Sequence, residues 1–296
     1  MKNKLLKRIA LTSLIFMSLN FSSNAFARNV DMQQGEILCF GADLNKIQEA
    51  SLREYFKAPT DIEAIYVDKN VAIKQLGLPQ NAYDDFTGGW YSSAYVKLTE
   101  KGSGINVTSN NLTLVTDGML SNALITSGIT DADIIASAPF AVTGESALAG
   151  IFEGAEKISG TELDPEGKQV AQEEVEVTLD IADTIGSTEA TALINEVKAK
   201  VIEEAPKSTE EIEDMVTDAA SKLDITVNDE TKAKIVALMD KINDLDIDYD
   251  AIKDSLKQNS TKLLEDLKVL GKQIQESGIL EKIWTWLKDF LSKWIQ

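Results

Sequence analysis

The chain has no histidine. That removes Ser-His-Asp and Cys-His catalysis, histidine-ligated zinc and any imidazole acid or base. It has a single cysteine, Cys39, so no internal disulfide can form. With no histidine beside it, an ordinary zinc site is excluded as well. Cys39 lies in the apolar run "GEILCFG" and reads as a buried thiol. Basic residues are scarce: 29 Lys and Arg face 48 Asp and Glu, a net charge of −19. A chain so acidic lacks the basic footprint that nucleic acid needs. No glycine-rich phosphate loop occurs, and "KGSGI" reads as a turn. No Ser-x-x-Lys pair occurs either. "GESALAG" at 144–150 sets Ser146 at a tight turn before a helix, but it is not G-x-S-x-G and has no base to pair with.

What is present begins with an address. Residues 1–27, "MKNKLLKRIALTSLIFMSLNFSSNAFA", carry Lys2, Lys4, Lys7 and Arg8, then an apolar stretch from Ile9 to Leu19, then Ala25-Phe26-Ala27. This is the pattern of a secretory signal peptide. The apolar stretch falls short of the roughly 20 residues that a spanning helix needs. A mature chain is expected from Arg28 onward, and losing those four basic residues takes the net charge from −19 to −23. A secreted chain without a disulfide must be held by its core, and one of this length can bury one or two.

Residues 28–160 alternate between strand and helix signals. "GEILCF" and "IEAIYV" read as strands, with "ADLNKIQEASLREYF" as a helix between them. Asp68 is expected to cap the short helix that follows, with Gly77 past its end. "WYSSAYVKL" and "INVTS" around "EKGSG" predict a β-hairpin. "TDGMLSNALITSG" reads as a helix, "DADIIASAPF" as a strand stopped by Pro139, and "TGESALAGIFEGAEKISG" as another helix. Strands interleaved with helices predict an α/β or α+β domain. Residues 161–277 differ: 161–230 alone hold 20 acidic and 5 basic residues. Pro165 after Asp164, Ser187 or Thr188, the box "STEE" at 208–211, Asn228 and Asp248 mark successive helix starts. Ile252, Leu256, Leu263, Leu267, Leu270 and Ile274 form one apolar stripe on the last of these helices. The second half is therefore expected to be all-helical.

The segment "SSAYVKLTEKGSGINVTSNNLTLVTDGMLSNALITSGITDADIIASAPFAVTGESALAGIFEGAEKI" resembles a family of secreted Gram-positive proteins catalogued as domain of unknown function 1002. "GADL" at 41–44 and "DLDIDYDAI" at 244–252 are similar to that family too. The resemblance implies an extracytoplasmic envelope protein. It supplies no catalytic residue and no cofactor, and none is expected here.

Two constellations remain. Asp244, Asp246, Asp248 and Asp250 alternate as calcium ligands do, but an EF-hand loop counted from Asp244 would need glycine at Tyr249 and glutamate at Ser255. Asp248 reads better as a helix cap, which leaves Asp244, Asp246 and Asp248 a weak calcium candidate.

The second is the chain's end, "GILEKIWTWLKDFLSKWIQ" at 278–296, which holds three of the four tryptophans. On a helix, Ile279, Leu280, Ile283, Trp284, Trp286, Leu287, Phe290, Leu291, Trp294 and Ile295 occupy one arc of about 180°. Glu281, Lys282, Thr285, Lys288, Asp289, Ser292, Lys293 and Gln296 fill the other side. Such a face exceeds what a monomer leaves in water. It is expected to meet the protein's own helices, a second copy, a partner or a membrane surface. Tryptophan suits the last, while near-neutral charge makes that contact hydrophobic rather than electrostatic. The site residues expected are Ile283, Trp284, Trp286, Leu287, Phe290, Leu291, Trp294 and Ile295. The sequence thus predicts a non-enzymatic envelope-associated protein. A hydrolase of wall or extracellular polymer using two carboxylates, and a self-associating structural protein, stand as alternatives. A small-molecule ligand is left open.

Overall fold

The computed structural model describes residues 34–276 apart from Glu145, Asp246 and Asp248, and only the backbone at 249–251 and 271–276. Its elements in order are β1 (Gly35–Gly41), α1 (Lys46–Phe56), β2 (Ala64–Val67), α2 (Lys69–Gln75), β3 (Ser93–Leu98), β4 (Ile105–Leu112), α3 (Asp117–Thr126), β5 (Ala132–Val142), α4 (Ser146–Ser159), α5 (Pro165–Ile185), α6 (Ser187–Glu204), α7 (Thr209–Lys222), α8 (Asp229–Asp244) and α9 (Tyr249–Glu276). The fold is a mixed five-stranded sheet region followed by helices, as the sequence leads one to expect.

The sheet runs β2-β1-β3-β5-β4, and β3 is antiparallel to both its neighbours. β1, β2, β4 and β5 all point the same way, so their carboxyl ends share one edge of the sheet. Alternation sorts the side chains between two faces. Ile37, Cys39, Val96, Val107, Ile134 and Ala136 face α3 and α4. Leu38 and Phe40 face the other way, onto Leu52 and Phe56 of α1. The connections β1-α1-β2 and β4-α3-β5 step in the same direction along the sheet with helices on opposite faces. They therefore have opposite hands, and one is of the rare left-handed kind.

The expected hairpin does not form. β3 and β4 are joined by the glycine turn, where Gly102 and Gly104 take positive φ, but β5 lies between them and pairs with both. The turn was legible and the partner was not: β5 offers Ala132, Ile134 and Ala136, all buried, and an apolar strand is best placed centrally. Nor does Pro139 end β5, which runs on to Val142. Pro139 lies past the last β3 pair, Ser93 with Ser137, and inside the irregular stretch opposite Asn111, so its missing N–H leaves no β3 ladder bond unmade.

The helical half has its own core of Ile181, Leu193, Ile194, Val197, Ile212, Val216, Ile235 and Met239. α5 is shared, since its Ala171 and Val175 join the sheet's core. The caps fall where expected: Asp68, Asp164, Ser208 and Asn228 each accept from a first-turn N–H. At Ser208 the box is not reciprocal, because Glu211 accepts from the N–H of Lys207 instead.

Candidate functional site

The connection from α2 to β3 crosses the carboxyl edge of the sheet. It spans residues 76–92 and contains "NAYDDFTGGWY" at 81–91. Connections longer than about 12–15 residues with no element of their own are uncommon in a compact layer and are usually functional. This one is fastened to β1. The N–H of Trp90 donates to Oδ2 of Asp43 at 2.8 Å, and the N–H of Asp43 donates back to the Trp90 carbonyl at 3.1 Å. Gly41, the last residue of β1, sits so close that a Cβ there would lie 2.1 Å from the Trp90 oxygen. Its N–H donates to Oγ of Ser93, and that hydroxyl donates in turn to the Tyr91 carbonyl, both at 3.2 Å.

Trp90 and Tyr91 then point to opposite sides of the sheet. Trp90 packs against the core on the α4 side and Tyr91 against the core under α1. Around Trp90, the rings of Tyr83 and Phe86 stand at 5.1 and 5.5 Å between centroids, tilted or edge-on. Around Tyr91, the ring of Phe140 stands at 4.9 Å. Phe86 is 47% exposed and Phe140 45%. The carboxyl edge, where open α/β sheets ordinarily hold ligands, is thus covered by an aromatic strap with its outer rings in solvent. Sequence reasoning passed over these residues. The available signal was four aromatics among the 17 residues 76–92 of a chain that is 6% aromatic.

α9 approaches the same edge from the β4 side. Ser255 Oγ donates to the Thr130 carbonyl at 2.8 Å, ahead of β5. Gln258 lies against Gly104, ahead of β4. Lys262 Nζ donates to the Val107 carbonyl at 3.3 Å, covering part of that edge strand, and Leu263 reaches Gly118 at the start of α3. α9 therefore runs in the same sense as β4, toward the carboxyl edge. Gly118 also lies against Thr191, the fifth residue of α6. α6 starts only four residues before that point, whereas α9 continues for thirteen beyond Leu263, about 20 Å at 1.5 Å per residue. Ile252, Leu256 and Leu263 are buried, but Val269 is 53% exposed. The expected stripe thus anchors α9 through Leu263, while Leu267 and Leu270 are half-buried and the side chain of Ile274 lies outside the described residues.

The ionisable groups that are buried are committed to one another. Lys198 donates to Glu174 Oε1 at 2.8 Å, to Thr126 Oγ1 at 3.1 Å and to the Asn122 carbonyl at 2.8 Å. Burial pulls its pKa below the ordinary lysine value despite the facing carboxylate. Asn259 of α9 completes the cluster by donating to Asn122 Oδ1 and Asn195 Oδ1, at 2.5 and 2.9 Å. Glu153 and Glu156 on α4 do converge, since both accept from Nε2 of Gln75. Glu156 also accepts from Lys168 Nζ at 2.6 Å and from the N–H of Leu163 at 2.9 Å. Both carboxylates thus have protein donors within hydrogen-bond reach. Cys39 is fully buried, and burial pushes its thiol far up, which makes it inert.

The residues singled out from sequence, Ile283 to Ile295, lie outside the described residues. So do Asp246 and Asp248, while Asp244 ends α8 with its side chain exposed. Among the described residues no three His, Cys, Asp or Glu side chains gather as a metal site. No described helix is long and apolar enough to cross a membrane.

Comparison with known proteins supports the resemblance. A family described as protein of unknown function (DUF1002) matches residues 40–259. An uncharacterised protein of Bacillus subtilis, YpuA, is 33% identical over 234 residues, covering 77% of this chain and 80% of its own. No solved structure matches the chain. The chain belongs to the DUF1002 family.

Proposed function

We propose that this protein is a secreted, non-enzymatic component of the cell envelope that attaches to a membrane surface through residues 278–296. The observation behind this is the overrun of α9. Its last thirteen residues carry the chain about 20 Å past Leu263, beyond the start of α6 and toward the carboxyl edge. In the sequence, the ten-residue apolar face follows from Ile279 onward. Each of those side chains contributes about 1.5–3 kcal/mol when buried, so a modest insertion holds the protein without help from charge. The body repels anionic lipid, which makes a zwitterionic surface the better target.

Quenching tests this in a W90F chain, where Trp284, Trp286 and Trp294 are the only tryptophans. Phosphatidylcholine vesicles brominated on the acyl chains quench their emission if the face enters lipid. Emission unchanged by such vesicles contradicts attachment. If the chain is also found to dimerise, the apolar face belongs to a second copy.

A further inference from the structure

We propose that the strap at 79–92 is a second contact surface, independent of the chain's end, and that its ligand is a neutral polysaccharide. Three observations point there. The rings of Tyr83, Phe86 and Trp90 hold one another at 5.1–5.9 Å, yet Phe86 remains 47% exposed. Rings fixed in this way present flat apolar faces without having to be ordered on binding. Polar side chains that bond hydroxyl groups surround them: Gln80, Asn81, Asp85 and Thr87 are all exposed. A sugar ring needs both at once, a stacking surface for its C–H face and acceptors for its hydroxyls. Third, residues 76–92 contain no lysine or arginine. The cation beside them, Lys69, is held by Asp84 at 2.6 Å. A phosphate- or carboxylate-bearing polymer would meet Asp84 and Asp85 here, and a lysine already paired with one of them. Lipid fits less well than sugar, because Asp84 and Asp85 immediately precede Phe86 and would have to enter the headgroup layer with it.

The bland alternative is a satellite apolar cluster beneath a long loop. That accounts for Trp90, which packs on the core, but not for Phe86, which touches Tyr83 and Trp90 and still leaves 47% of its surface in solvent.

The test uses the full chain carrying W284F, W286F and W294F, in which Trp90 is the sole tryptophan. Its emission is followed during titration with cellotetraose and with the tetramer of N-acetylglucosamine. The expected result is a saturable change with at least one of them, weakened about tenfold or more by Phe86→Ala, with the circular dichroism spectrum of that variant unchanged. As a second variant, Asp85→Asn keeps the shape, removes the charge and exchanges one acceptor oxygen for an amide donor; it weakens binding without abolishing it. No response to either sugar overturns the proposal. So does a response that Phe86→Ala leaves intact. A response to phosphatidylcholine vesicles alone assigns the strap to the membrane and overturns it too.

Discussion

Lys198 Nζ lies 2.8 Å from Glu174 Oε1, and the two side chains are 0% and 1% exposed. The pair joins α6 to α5, and through Asn122 and Thr126 it reaches α3 beneath the sheet. A charge pair taken wholly out of water is weak evidence of stabilisation, but losing one member is costly. Lys198→Met strands the Glu174 carboxylate and is expected to cost about 3–5 kcal/mol in denaturant unfolding. Lys198→Met with Glu174→Leu is expected to cost less than the single change. A double variant as damaged as the single one would show that the pair is not the unit.

The same cluster holds α9. Asn259 gives both amide hydrogens to Asn122 and Asn195, so Asn259→Ala leaves two buried oxygens without that donor, at about 1–3 kcal/mol each. Amide exchange along 252–263 is expected to rise more than exchange in β3 and β5. A uniform rise across the chain would mean that α9 does not open separately.

Tyr95 gives a pH signature. Its pKa is raised, first by burial and then by the hydrogen bond it donates to Glu36, with the charges of Glu36 and Asp133 adding to this. The folded chain therefore keeps a proton that the unfolded chain releases. Stability falls as pH climbs above about 10, the ordinary tyrosine value. In Tyr95→Phe that fall should be shallower, as read from midpoints of urea unfolding between neutral and alkaline pH. Parallel curves would contradict the assignment.

Gly41 tests the strap's mooring. A methyl group there meets the Trp90 carbonyl at 2.1 Å and the Tyr91 Cα at 2.8 Å, and both are backbone. Gly41→Ala is expected to cost about 1–3 kcal/mol and to shift Trp90 emission in the chain where it is the sole tryptophan. Unaltered emission would mean that the strap is not set by β1.

Local chemistry was legible in the sequence where one residue decides the outcome. Asp68, Asp164 and Asn228 announced helix starts because a side-chain oxygen there satisfies an N–H close by in sequence. Cys39 announced a buried strand by its apolar neighbours. Pairing was not legible. β3 and β4 look like a hairpin from their turn, and only the appetite of β5 for a central place separates them, which no local window contains. The strap was missed for a related reason. Tyr83, Phe86 and Trp90 have neither helical nor strand spacing, and their meeting depends on Asp43 and Gly41, roughly fifty residues earlier. The buried Lys198 looked like any solvated lysine on a helix, because its carboxylate lies 24 residues away on another.

Attachment through the chain's end is tested most directly by flotation of the chain lacking residues 1–27. It is compared with the same chain ending at Glu276, on phosphatidylcholine liposomes and on liposomes containing anionic lipid. The account predicts that the longer chain rises with the neutral liposomes, rises less with the anionic ones, and that the shorter chain stays at the bottom with both. If neither chain floats, or both float equally, residues 278–296 are not the anchor.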